Sequence, residues 1–108
     1  MCPKRLLCTE RLRRVPRQFS WIDQRLVSQR HIGQLSPSGQ GLYLFLVTVC
    51  DGQGLSYYGD KSLCQILGLD PGALARSREQ LKDRGLIAYE KPLYQVLSLG
   101  PQDPSFNA

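Results

Sequence analysis

A chain of 108 residues has room for one domain, and with 42% hydrophobic and 21% charged residues it is globular rather than disordered or fibrous. It carries 14 basic against 9 acidic side chains, a formal charge of +5, which favours a polyanionic partner without specifying a fold. One modest core leaves little space for an enclosed active site. The longest apolar run, Leu42 to Cys50, is about nine residues, where a membrane-spanning helix needs about 20.

The charge is unevenly placed. Lys4, Arg5, Arg11, Arg13, Arg14 and Arg17 stand near the N-terminus against one acid, Glu10, while the rest of the chain balances eight bases with eight acids. Residues 1–18 are therefore read as a flexible basic arm, with a helical stretch around Leu6 to Leu12. The arm has no apolar stretch of the kind a secretory signal needs. Its Arg-rich, acid-poor composition leaves a mitochondrial presequence as a lesser alternative. Cys2 and Cys8 are expected as exposed thiols in a reducing cytoplasm, and Cys50 and Cys64 as small buried hydrophobes. No C-x-x-C pair occurs and His31 is remote from every cysteine, so neither a metal nor a cofactor is expected.

Residues 19–99 read as the folded domain. Phe19, Ile22, Leu26 and Val27 share one helical face and predict a short helix over Trp21 to Ser28, with an extended segment leading into a loop as the competing reading. Ser36-Pro37 is a helix start, a capping hydroxyl before a proline that needs no N–H. It predicts a central buried helix of about 13 residues up to Asp51-Gly52, against the strand that Val47, Thr48 and Val49 would also suit. A turn over Asp51 to Gly54 precedes a short strand, Leu55 to Tyr58. A helix from Asp60 to Leu67 ends at Gly68, and Asp70-Pro71 starts another that runs to about Arg84 and stops at Gly85. Leu86 to Glu90 and Leu93 to Leu99 then form a hairpin about Lys91-Pro92, and residues 100–108 are read as a disordered tail.

The order helix, strand, helix, tight turn, helix, hairpin resembles the winged helix-turn-helix family, over about Leu35 to Leu99. Leu63, Leu67, Leu69 and Leu74 stand at its apolar positions, Cys64 at the position where two helices approach closely, and Gly68 in the turn. The stretch LGLDPGALARSREQLKDRGLIAYE looks like a recognition helix running into a wing strand, with Leu81 to Ile87 as the L-x-x-x-G-L-I ending common in that family. Two features depart from it. Pro71 and Gly72 make a weak, nearly uncharged start to the recognition helix, and the wing turn Glu90-Lys91-Pro92 holds one base. The resemblance implies an α+β fold, mainly helical with a small β-hairpin wing, in a bacterial or phage-type protein.

It also implies a DNA-binding function, with the helix at about 71–84 in a major groove. Arg76 would meet guanine or phosphate and Gln80 an adenine edge, while Lys82 and Arg84 reach phosphates at the rim. Lys61 and Lys91 would add phosphate contacts, and Arg11, Arg13, Arg14 and Arg17 would follow the backbone or enter a minor groove. Inward positions on that helix fall to Leu74, Ser77, Leu81 and the stem of Arg78. Tyr57 and Tyr58 are expected half-buried under the hairpin.

Double-stranded DNA and a second copy of the chain are the expected partners, with Phe19, Trp21, Ile22 and Leu26 as surplus apolar residues for an interface. Transcription regulation, or service to a mobile element or replicon, is the implied process, in the cytoplasm and on the nucleoid when DNA-bound. No G-x-S-x-G, H-E-x-x-H or phosphate loop occurs, and no catalytic set can be named, so no enzyme is expected. The competing reading is a winged-helix protein-interaction module, suited to a body without net charge and a wing turn with a single base.

Overall fold

The computed structural model describes residues 4–100, so Cys2 and all of the expected tail but Gly100 lie outside the described residues. The fold is mixed α/β, with four helices and a small three-stranded antiparallel sheet among them. In chain order these are α1 (Arg25–Ser28), α2 (Pro37–Val49), β1 (Leu55–Tyr57), α3 (Asp60–Leu67), α4 (Pro71–Asp83), β2 (Ile87–Glu90) and β3 (Leu93–Val96). Short 3₁₀ turns occupy Thr9–Arg11 and Ile32–Gln34. No helix among the described residues is long and apolar enough to cross a membrane.

The ambiguous apolar run resolves as a helix because its start is chemically set. The Ser36 hydroxyl accepts from the Gly39 N–H at 3.1 Å, and Pro37 occupies the first turn, where its missing donor costs nothing. Once helical, Gly39, Leu42, Tyr43, Leu46 and Val47 fall on one buried face. Leu44, on the other side, is left exposed, so α2 is not buried all round as its composition suggested.

Strand order in the sheet is β1-β3-β2, so the last strand lies between the other two. Tyr94 of β3 pairs with Ser56 of β1 on one side and Tyr89 of β2 on the other. At the open end the Asp51 carboxylate accepts from the N–H groups of Gln53 and Leu55, forming an Asx-type turn. That turn delivers Gly54 against β3, where its carbonyl accepts from the Val96 N–H at 2.8 Å. A glycine is required there. Its φ is +86°, and a Cβ would stand 2.5 Å from the Val96 carbonyl oxygen.

Leu26, Leu35, Leu42, Leu46, Leu63, Leu74, Leu81, Leu86, Ile87 and Tyr94 make up most of the core, where α2, α3, α4 and the hairpin meet. Each fully buried leucine contributes about 2 kcal/mol by leaving water.

Several sequence expectations need correction. The first helix spans only Arg25–Ser28, with the Asp23 carboxylate accepting from the Arg25 N–H just ahead of it; residues 19–23 run without regular structure. The helical stretch expected over Leu6 to Leu12 is reduced to one 3₁₀ turn. Leu26 is a core residue, whereas Phe19 and Trp21 are exposed. Tyr57 points into solvent at 71% exposure, since it sits on the outer side of an edge strand, and only Tyr58 is half-buried, edge-on to Phe45 at 4.9 Å. Cys50 and Cys64 are half-buried rather than buried.

Candidate functional site

The segment from Asp60 to Gly85 decides what the surface offers. Helix α3 ends where Gly68 adopts φ +67°, a left-handed conformation cheap only without a Cβ, and the Leu69 N–H returns to the Cys64 carbonyl at 3.1 Å. Two residues later Asp70 caps α4, its carboxylate accepting from the Ala73 N–H at 2.8 Å, with Pro71 in the first turn. The start of α4 is thus well capped despite Gly72. The chain leaves α3 and enters α4 through a corner of three residues, and the two helices pack against each other.

Helix α4 buries Leu74, Ser77 and Leu81 against α2 and its neighbours. Its opposite side is an open surface bordered by Ala75, Arg76, Glu79, Gln80 and Asp83. Arg76 and Arg84 are exposed, with Arg84 as the C-cap residue. Lys82 is also exposed but pairs with Glu79 at 3.1 Å. Among the described residues, Arg76, Arg84, Lys61 and Lys91 make no ion pair. Lys61 stands at the start of α3 and Lys91 at the tip of the β2–β3 hairpin, both exposed. Arg11, Arg13, Arg14 and Arg17 are exposed along the arm.

Gln80 is placed differently from its expected role. Its side-chain oxygen accepts from the Ser36 N–H at 2.8 Å and from the Ser36 hydroxyl at 3.1 Å, closing the N-terminus of α2 onto α4. Gly39 lies directly beneath; a Cβ there would run into the Gln80 oxygen. The two hydrogen bonds occupy the amide oxygen, which a bidentate contact to an adenine edge would need. Glu79 and Asp83 take the neighbouring positions on the outer face.

A second arrangement went unforeseen. The Arg78 guanidinium donates to both Asp60 carboxylate oxygens, at 2.8 and 3.2 Å, and to the Tyr94 hydroxyl at 2.7 Å. It also lies 4.4 Å from the centre of the Tyr89 ring, a cation–π distance. One side chain therefore joins α4 to the start of α3 and to both strands of the hairpin. The Arg78 contacts hold the Asp60 carboxyl below the usual carboxylate range and raise the guanidinium further, so both stay charged. Burial raises the Tyr94 hydroxyl, keeping it neutral. Helical spacing places only the stem of Arg78 inward; its hydrogen-bond partners lie 16 and 18 residues away, beyond any local pattern.

No cluster of three or more metal-ligating side chains occurs among the described residues. No protein family, curated protein or solved structure matches the chain.

Proposed function

We propose that the chain is a winged helix-turn-helix DNA-binding protein, with α4 as the helix that enters a major groove and the β2–β3 hairpin as the wing. The observation that carries this reading is the α3–Gly68–α4 corner. It leaves the outer side of α4 open while the hairpin is tied beside it through Arg78. The sheet order β1-β3-β2 supports it too, since the strand before the helix pair joins the outer side of the hairpin.

Roles then follow from position. Arg76, exposed near the start of α4, suits the O6 and N7 acceptors of guanine. Glu79 and Asp83 on the same face are suited to accept from a cytosine amino group, and they would repel a poorly placed phosphate backbone. Lys82, Arg84, Lys61 and Lys91 are exposed and suit phosphates, which fix register without reading sequence. Because α4 itself nets only +1, most of the sequence-independent attraction falls to the arm, from Lys4 to Arg17. Gln80 acts as a clamp on α2 and takes no part in reading bases. Two copies on two half-sites form the expected complex.

The near-neutral outer face favours a second reading, a protein-interaction module whose partner meets Glu79 and Asp83 alongside Arg76. Fluorescence anisotropy on random-sequence duplex DNA across a salt series separates the two. The full chain should bind with a steep negative dependence of log K on log salt. Removing residues 1–17 should lower that slope by up to about five, at about 0.9 per phosphate neutralised. Residual binding by the shortened chain should vanish in the R76A/R84A variant. Failure of both forms to bind at low salt would refute DNA binding and favour the interaction module.

A further inference from the structure

The strongest unexplained surface lies away from α4. Residues 19–23 cross the C-terminal part of α2, fastened by the Ser20 hydroxyl donating to the Thr48 carbonyl at 2.9 Å. Between this strap, α2 and the end of β3 runs a groove of about 550 Å³, with Tyr43, Val47, Val96, Leu97 and Leu99 among its walls. Phe19, Trp21 and Ile22 line it from the strap, exposed at 65%, 76% and 48%. Large aromatic rings left in water next to an apolar groove mark an association surface rather than scattered surface hydrophobes.

We infer that this strap and groove form a two-fold interface between two copies of the chain, with Trp21 of each copy entering the groove of the other. A two-fold contact is made by one patch facing itself, so the patch must hold both a protrusion and a recess. This one offers both: a cleft larger than an indole, and Trp21, largely exposed among the residues that line it, as the group to be received.

The charges along the groove are already engaged inside the chain. Asp23 and Arg25 pair at 2.7 Å, and the Asp51 carboxylate accepts from two N–H groups of its own turn. Two copies can close on each other without stranding a charge, whereas a polar ligand would find few groups converging on it.

The area is adequate. At about 150–250 Å² per large side chain, the exposed parts of Phe19, Trp21 and Ile22 amount to about 400 Å² per copy, or about 800 Å² across the pair. The half-buried walls Val96, Leu97 and Leu99 carry the total past the roughly 1,000 Å² that a specific interface needs. This assignment goes beyond the DNA-binding reading and does not depend on it.

Trp21 is the only tryptophan in the chain, so its fluorescence reports on the interface directly. The experiment follows the full chain, without DNA, by sedimentation velocity and by acrylamide quenching over a concentration series. The expected result is a rise to twice the monomer mass, with a parallel loss of Trp21 quenching. The F19S/W21S variant should weaken dimerisation by at least about 30-fold, as removal of a buried aromatic anchor does. I66S, which alters an exposed apolar residue on α3, should leave it unchanged. A monomer at every concentration overturns the inference, and so does a dimer indifferent to F19S/W21S. Quenching protection that does not vary with concentration also overturns it, because the groove would then be covered by the chain's own arm or C-terminal residues.

Discussion

Arg78→Ala tests whether one side chain holds the hairpin to the helix pair. The substitution removes two hydrogen bonds to Asp60, one to the Tyr94 hydroxyl and the stack on Tyr89. The Asp60 side chain is half exposed, so solvent screening limits that ion pair to about 1 kcal/mol. Tyr94 has no exposed surface, and its hydroxyl would lose a charged donor, a cost of about 1–2 kcal/mol. The cation–π contact adds about 0.5–1 kcal/mol. The expected loss is therefore about 3 kcal/mol, read by urea denaturation, and for a domain of this size it corresponds to a fall in Tm of about 10–20 °C. A double-mutant cycle with Asp60→Asn should return a coupling of about 1 kcal/mol, since the two groups touch. An Arg78→Ala protein within about 0.5 kcal/mol of the parent would behave as an ordinary surface variant, and the bracing role would be refuted.

Three further outcomes follow from the same structure. Asp60 is held below the usual carboxylate range chiefly by its hydrogen bonds from Arg78, so its stabilising contribution is fully present above the unfolded value of about 3.9 and is lost as pH falls through the lowered folded value; urea midpoints measured down the acid limb should fall less steeply in Asp60→Asn. Gly54→Ala should cost about 2–4 kcal/mol, because a positive φ and a backbone carbonyl 2.5 Å from the new Cβ act together. Gly68→Ala, with a similar φ but open space around it, should cost only about 1 kcal/mol in the same denaturation assay.

Local chemistry made most of the elements readable. Ser36-Pro37 and Asp70-Pro71 cap helices where the hydroxyl or carboxylate meets an N–H three residues on, and Gly68 ends α3 in a left-handed turn. These interactions close within one turn of chain, so residue order alone specifies them. The strap at residues 19–23 misled for the same reason. Its apolar spacing suits a helix, but Phe19, Trp21 and Ile22 stand exposed and regular helix begins only at Arg25.

What residue order determined by itself was the starts of α2, α3 and α4, the glycine corner, the hairpin and the concentration of charge in the arm. Tertiary structure alone decided which polar side chains stay available on α4. Gln80 is drawn to a backbone N–H 44 residues away and Arg78 to partners on α3 and the hairpin, while Arg76 and Arg84 remain at the surface and form no ion pair among the described residues. The physical reason is that a side chain's long-range partners depend on where distant segments come to rest, and that is set by packing around Leu42, Leu46, Leu74 and Leu81 rather than by any neighbour in sequence.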